Sequence, residues 1–392
     1  MEFSSRLGKL APYPFVEISR IIAEKRAAGA DVVTFGIGDP DIPTPRPIID
    51  RLLTASEHTP NHRYPETDGL PEFRRAIAQW YKQRFDITLD SDTEVLPLIG
   101  AKEGIGHAAF CFLDPGDVAL IPDPAYPVYG VGTMFAGAES YIMPLKHENG
   151  WLPVYSDIPE EIAKAAKVMW LNYPNNPTSA VASIEELATA VAYCRDNDIA
   201  LLHDAAYSEV GYEGYKAVSM LQVEGAKDIG IEFHSLSKTY NMTGWRVGMA
   251  VGNADMIKAL FQIKANLDSG IPQAVQEMAM EALTGSQDCI DDNIAIYERR
   301  RDRVIKAVRS IGLSVDVPES SLYIWARVPE GFTSAEFAAR LLEDMDIVVT
   351  PGSSYGEYGE GYIRLSLTTP DEQVEKGCQR IENWTVPSPK AG

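Results

Sequence analysis

The stretch His234-Ser-Leu-Ser-Lys-Thr-Tyr-Asn-Met-Thr-Gly-Trp-Arg-Val-Gly248 decides how the rest of the chain is read. It follows an apolar run, Ile229-Gly-Ile-Glu-Phe, with the composition of a buried strand running out into a loop. Lys238 comes directly after Ser237 and three residues after Ser235, and Arg246 follows eight residues later between Gly244 and Gly248. Lysine is ordinarily a solvated surface residue. At a strand end, among small hydroxyl residues and glycines, its amine is open to close approach by a ligand. An amine that can attack and carry protons, short hydroxyl donors and a planar guanidinium fork for a dianion form one chemically coherent set. The plain alternative is a surface lysine near a surface arginine.

Working outward, the chain has 392 residues, 45% hydrophobic and 23% charged, which suits two or three domains with a large core. Acidic residues number 56 against 35 basic ones, a net charge of −21. That balance excludes a broad nucleic-acid or anionic-membrane surface, so any anion must be bound in a local basic pocket. Cys111, Cys194, Cys289 and Cys378 are far apart with no CxxC pair, so neither a disulfide framework nor a zinc site is expected, and no metal is assigned. The first residues lack a signal-peptide core, and no apolar run approaches the ~18 residues of a membrane helix. A soluble, cytoplasmic protein is expected.

From about residue 34 to 285, short apolar runs alternate with helical patterns. The runs are Glu94–Ile99, Val118–Ile121, Val168–Leu171, Ile199–Leu202 and Ile229–Phe233, with Arg246–Gly252 as a further strand. Nearly continuous apolar strands separated by helices indicate a mostly parallel sheet covered on both faces. A long helix from Asp288 to about Ile311 follows, then strands at Leu322–Ala326, Ile347–Val349 and Tyr362–Leu367, a separate α+β unit. Ligands of open parallel sheets sit at the carboxyl ends of the strands, so the polar residues there matter most.

Four such ends carry chemistry. Gly100-Ala-Lys-Glu-Gly opens a helix and offers free backbone N–H groups to an anion, although a tight packing turn has the same composition. Pro122-Asp-Pro-Ala-Tyr126 presents a rigid aromatic face, or a tyrosine of the core. Asn172-Tyr-Pro-Asn-Asn-Pro-Thr-Ser179 is a turn, with or without a ligand. His203-Asp-Ala-Ala-Tyr207 puts a carboxylate at the end of a buried strand, which needs a cation unless Asp204 is a helix N-cap. Elsewhere, Arg364 stands inside the apolar strand Tyr362-Ile-Arg-Leu-Ser and needs an anion, from a ligand or an internal ion pair.

Together these motifs resemble the class I/II aminotransferases of fold type I, over about Leu7 to Trp384. The resemblance implies an α/β fold with a large domain, its mostly parallel sheet seven-stranded, plus a smaller α+β domain. Residues 1–45 would join the small domain, 46–285 form the large domain, and 286–392 complete the small one. It implies pyridoxal 5'-phosphate as cofactor, joined covalently to Lys238, with Ser235, Ser237, Arg246, Ala101 and Lys102 around the phosphate. The family's usual serine is Ala101 here, and the glycine of its Asn-Pro-Thr-Gly turn is Ser179. Tyr126 would stack on the ring, Asp204 pair with the ring nitrogen, and Asn176 and Tyr207 meet the 3'-oxygen. Lys238, Asp204 and Tyr207 are thus the expected catalytic residues. Gly38, Lys102, Tyr126, Asn176 and Arg364 would contact the substrate, Arg364 clamping its α-carboxylate. Tyr64, in Tyr-Pro-Glu-Thr-Asp-Gly, would reach the phosphate of a partner subunit, implying a homodimer with shared active sites, to which Asp268 and Ser269 could also contribute.

Within the family, His234–Asn253, Lys264-Ala-Asn-Leu-Asp-Ser-Gly-Ile-Pro-Gln, Gly36-Ile-Gly-Asp-Pro-Asp and Gly356-Glu-Tyr-Gly-Glu-Gly-Tyr resemble the bacterial diaminopimelate branch. This implies L,L-diaminopimelate and 2-oxoglutarate as amino donor and acceptor, hence lysine biosynthesis. Lys102, Tyr13, Phe15 and Glu66 are candidates for reading the distal end of that substrate. Transamination of alanine, glutamate or aromatic amino acids, a β-lyase on the same scaffold, and a non-enzymatic regulator remain the alternatives. The acidic charge and the early start of the motifs speak against the last.

Overall fold

The computed structural model describes residues 1–10 and 14–389. In chain order its strands are β1 (Val33–Thr34), β2 (Val95–Leu98), β3 (Val118–Asp123), β4 (Glu139–Pro144), β5 (Ala166–Asn172), β6 (Ala200–Asp204), β7 (Gly230–Ser235), β8 (Gly248–Gly252), β9 (Ser314–Val315), β10 (Tyr323–Arg327), β11 (Ile347–Val348), β12 (Thr350–Pro351) and β13 (Tyr362–Ser366). Seven of them form one sheet in the order β2-β8-β7-β6-β5-β3-β4. β3 through β7 pair in parallel, while β8 runs antiparallel to both β7 and β2. The result is the α/β architecture expected.

Direction explains why the site forms where it does. Because β8 alone is reversed, Gly248 at its start pairs with Ser235 at the end of β7 and with Leu98 at the end of β2. One edge of the sheet therefore collects the ends of β2, β3, β5, β6 and β7 together with the start of β8. The strands keep this position because helices cover both faces: β3 and β7 are buried along their whole length, and Trp170, Leu202 and Phe233 are almost fully buried.

Two boundaries and one added strand differ from the sequence reading for clear physical reasons. β8 begins at Gly248, not Arg246, because Arg246 has a left-handed backbone (φ 55) that cannot continue a strand. β7 begins at Gly230, since Ile229 closes the short helix Ala226–Ile229. The seventh strand, β4, has no apolar run because it is the sheet's exposed edge, where one face needs no burial.

A second sheet, β12-β13-β10-β9, is antiparallel and carries the helices Asp288–Ser310, Ser334–Met345 and Asp371–Glu382. Phe337, Leu341, Val304 and Val374 fill the core between them. The N-terminal segment is tied to this unit: β1 pairs with β11, and Arg300 reaches Asp41 at 2.6 Å and the Leu367 carbonyl at 3.0 Å. That tie delivers Gly36–Asp39 to the edge where the large sheet's strands end. No helix among the described residues is long and apolar enough to cross a membrane.

Candidate active site

The edge that collects the strand ends opens into a cavity of about 280 Å³. Gly38, Ala101, Lys102, Tyr126, Asn176, Asp204, Tyr207, Ser235, Ser237, Lys238, Arg246 and Arg364 all line it. They come from separate loops and from both sheets, so their meeting is a product of the fold. Tyr64 does not line the cavity: its side chain is 92% exposed.

Lys238 sits in the one-turn helix Leu236–Thr239, capped by Ser235, whose hydroxyl accepts from the Ser237 N–H at 3.2 Å. Its Nζ donates to the Gly38 carbonyl at 2.7 Å. Burial holds the amine below the ordinary lysine range, with Tyr323 and Asp39 pulling partly against it. A desolvated lysine keeps more of its neutral, nucleophilic form near neutral pH.

Beside it, Arg246 and the start of a helix line the same cavity. Gly100 caps the helix Ala101–Phe112 with a left-handed φ of 74°, and no side chain makes a capping hydrogen bond at its start. A Cβ on Gly100 would lie 2.4 Å from Arg246 Nη2, so the guanidinium rests directly on the glycine turn. Arg246 Nη1 donates to the Thr243 carbonyl at 2.8 Å, which fixes the fork. Helix dipole, cation and the hydroxyls of Ser235 and Ser237 thus face one point, a disposition suited to a phosphate dianion. Ala101 adds only a methyl group.

Asp204 is the last residue of β6 and almost fully buried. Tyr129 donates its hydroxyl to Oδ2 at 2.8 Å, the Ala206 N–H reaches Oδ1 at 3.3 Å, and Asn172 Nδ2 holds the Asp204 carbonyl at 2.7 Å. No helix follows, so the N-cap alternative is wrong. Burial pushes the carboxyl above its usual range, and the bonds from Tyr129 and Ala206 oppose that. Among the described residues no cation pairs with it, so a buried carboxylate faces the cavity ready for a cationic ligand atom.

The opposite wall comes from the second sheet. Arg364 is almost fully buried, with Nη1 donating to Asn176 Oδ1 at 2.8 Å and Nη2 to the Gly36 carbonyl at 3.1 Å. Its guanidinium carbon lies 3.9 Å from the Tyr323 ring centroid, a cation–π contact worth about 2 kcal/mol when desolvated. Tyr323 also meets Tyr207 hydroxyl to hydroxyl at 2.9 Å, and a Cβ on Gly38 would strike its oxygen at 2.2 Å. The position where Ser179 replaces the expected glycine keeps the left-handed backbone (φ 62), and the serine hydroxyl donates to the Tyr323 carbonyl at 2.8 Å. This bond offsets part of the conformational cost.

Tyr323, Tyr129 and Asn172 were not singled out from sequence. Tyr323 read only as a residue of the strand Leu322–Ala326, and Tyr129 was assigned no role. The sequence carried no signal for Tyr323: it is two residues before Trp325, whose pairing with Arg364 exists only in the fold. Among the distal candidates, Lys102 reaches the cavity, its Nζ 6.0 Å from the Tyr126 ring centroid, while Glu66 does not line it. Tyr13 and the side chain of Phe15 lie outside the described residues. His203 points away into the core, where Nδ1 meets Glu232 Oε2 at 2.9 Å.

A desolvated amine, a guanidinium resting on a glycine turn, a buried carboxylate and a buried arginine around one cavity suit amine chemistry on an acidic small molecule. Comparison with known proteins agrees. The profile described as aminotransferase class I and II matches residues 30–381. A curated LL-diaminopimelate aminotransferase of Dehalococcoides mccartyi is 59% identical over 384 residues, 98% of this chain and 99% of the relative. The substrate-bound structure of BacF from Bacillus subtilis superposes with a TM-score of 0.94 at 36% identity, covering 97% of this chain and 98% of that one. A mutant aspartate aminotransferase of Thermus thermophilus superposes with a TM-score of 0.91 at 26% identity, covering 97% and 99%. With family profile, full-length relatives and superposed folds in agreement, the chain belongs to the class I and II aminotransferases, with the α/β architecture of fold type I.

Proposed function

We propose that the protein is a pyridoxal 5'-phosphate-dependent aminotransferase that exchanges an amino group between L,L-diaminopimelate and 2-oxoglutarate. The observation that carries the substrate is the 59% identity, over 98% of the chain, to a relative named for that activity. The residues fit the cofactor. Asp204 is a buried carboxylate without a cation among the described residues, and the glycine turn under Arg246 leaves room for a dianion and none for a side chain. When bound, the cofactor supplies an aldehyde for the amino group and a ring that spreads the electrons left on the substrate's Cα.

The chain's residues do the rest. Arg246, Ser235, Ser237 and the N-terminus of the helix Ala101–Phe112 hold the phosphate. Tyr126 stacks on the ring, and Asp204 pairs with its nitrogen. Asn176 and Tyr207 offer polar contacts at the 3'-oxygen. Arg364 turns its fork to the substrate α-carboxylate, and Gly36–Asp39 exclude water above it. Lys238 Nζ removes the proton from Cα of the amino acid and, in the reverse direction, returns it to Cα of the 2-oxo acid.

A donor panel with 2-oxoglutarate as acceptor tests the substrate. L,L-diaminopimelate is expected to exceed alanine, aspartate and aromatic amino acids by at least about 10²-fold in kcat/KM, since a site built for a distal ammonium and carboxylate is left unpaired by substrates lacking them, and to exceed meso-diaminopimelate, in which inversion at the distal carbon misplaces the same two groups. Equal rates across the panel overturn the substrate. Release of ammonia and pyruvate, with no glutamate formed from 2-oxoglutarate, would mark a β-lyase.

We also assign a homodimer with shared sites. Tyr64 and Leu267 expose 92% and 62% of their surface, and Tyr64 has no place in its own chain's cavity. Mixing inactive Lys238→Ala and Tyr64→Ala chains is expected to restore about a quarter of native activity, because one site per mixed dimer regains both side chains. A mixture as inactive as its components refutes the sharing.

A further inference from the structure

The mechanism above uses Asp204 and leaves unexplained how a buried carboxylate is kept ionised and aimed. We propose that Tyr129 is a positioning residue for Asp204, holding the carboxylate charged and in the orientation that keeps the proton on the cofactor's ring nitrogen. The inference rests on the proposed cofactor chemistry and adds to it a residue that touches neither cofactor nor substrate.

The geometry is specific. Tyr129 is almost fully buried, and its hydroxyl donates to Asp204 Oδ2 at 2.8 Å. The ring cannot swing away. It stacks on Trp170, with centroids 4.7 Å apart and planes at 15°, and its edge meets Tyr126 at 5.9 Å and 80°. Its backbone is held too: the Tyr129 carbonyl accepts from the Thr133 hydroxyl at 2.9 Å within the helix Val128–Ala136. Trp170 in turn stacks on Phe233 of β7, the strand leading to Lys238. Tyr129 thus stands behind the pocket, in contact with both the carboxylate and the aromatic face that would sandwich the ring.

The chemistry explains the need. Inside a dry site, a carboxylate facing a ring nitrogen can hold the shared proton itself, and burial favours that neutral arrangement. A donated hydrogen bond stabilises the ionised carboxylate and shifts the proton to the nitrogen. The Ala206 N–H supplies a second, longer bond at 3.3 Å to the other oxygen. Burial keeps the Tyr129 hydroxyl protonated far above the ordinary tyrosine range, so it remains a donor at every working pH. The groups around Asp204 are Tyr129, the Ala206 N–H, the Tyr207 hydroxyl across the cavity and, behind the strand, His203, whose charge would act in the same sense as the Tyr129 hydrogen bond.

The test uses the holoenzyme carrying cofactor labelled with 15N at the ring nitrogen. In wild type the 15N shift is expected to report a protonated nitrogen. In Tyr129→Phe it is expected to move toward the unprotonated value, the pH midpoint of the lysine-bound cofactor's absorbance to rise, and cofactor Kd to rise about tenfold. Placing 3-fluorotyrosine at position 129 retains the fold and donates more strongly, so the 15N shift is expected to stay at or beyond the wild-type value. An unchanged 15N shift and absorbance midpoint in a folded Tyr129→Phe enzyme overturn the proposal. If Tyr129→Phe does not fold, a fluorotyrosine enzyme whose 15N shift moves toward the unprotonated value overturns it equally. Failure of the wild-type protein to bind pyridoxal phosphate at Lys238 is a separate result that overturns the proposed function beneath it.

Discussion

Lys238→Ala is expected to abolish transamination, lowering kcat by more than about 10⁴-fold, and to remove the absorbance of covalently held cofactor. Proton transfer by one positioned base contributes about 10²–10⁴-fold, and the lost covalent anchor adds to it. The substitution deletes the hydrogen bond from Nζ to the Gly38 carbonyl at 2.7 Å, so the fold should lose about 1 kcal/mol and remain intact. Equal circular dichroism with no activity is the expected pattern, and a small added amine should restore part of the rate. A second amine makes the test sharper. Lys102 lines the same cavity, with its Nζ 6.0 Å from the Tyr126 ring centroid. If Lys238→Ala retained full activity, or if borohydride fixed the cofactor to Lys102 in the wild-type protein, the assignment of Lys238 would be wrong.

Parts of this site were legible because their chemistry is visible in one dimension. Asp204 and Arg364 stood out as charged groups in apolar strands, where each needs a partner, and Lys238 as an amine at a strand end among small hydroxyl residues and glycines. The parallel strands stood out because burial on both faces requires uninterrupted apolar residues, as in β3 and β5. β4 did not, since an edge strand has no such requirement. Tyr323 was hidden for another reason. Its contact with Arg364 depends on the register of β10 against β13, in which Trp325 pairs with Arg364 and Tyr323 with Ser366. A face shared across two strands is invisible until the register is known. Tyr129 was hidden because a buried tyrosine in a helix is usually just core, and its hydroxyl gains meaning only from the strand end opposite. Tyr64 was singled out from sequence, yet in the single chain it is exposed and lies outside the cavity.

Asp204→Ala is expected to cost about 10³-fold in kcat, and Tyr207→Phe about tenfold, when both are measured at full cofactor occupancy. The difference follows from what each group supplies. Asp204 provides a full charge in a buried site, where removing it deletes an electrostatic interaction that grows as charge develops on the ring. Tyr207 provides one hydroxyl. Its aromatic body survives as phenylalanine, and its oxygen already shares a 2.9 Å bond with Tyr323. Burial lifts the Tyr207 hydroxyl well above the ordinary tyrosine range, so it acts as a neutral donor and its loss is that of a single hydrogen bond, about 1 kcal/mol. Asp204→Asn separates charge from shape: it keeps the size and one acceptor oxygen but no charge, and it should be nearly as damaging as alanine. Comparable losses in Asp204→Ala and Tyr207→Phe would mean that the carboxylate only fills space, and near-native activity in Asp204→Asn would mean that its charge does not assist the reaction.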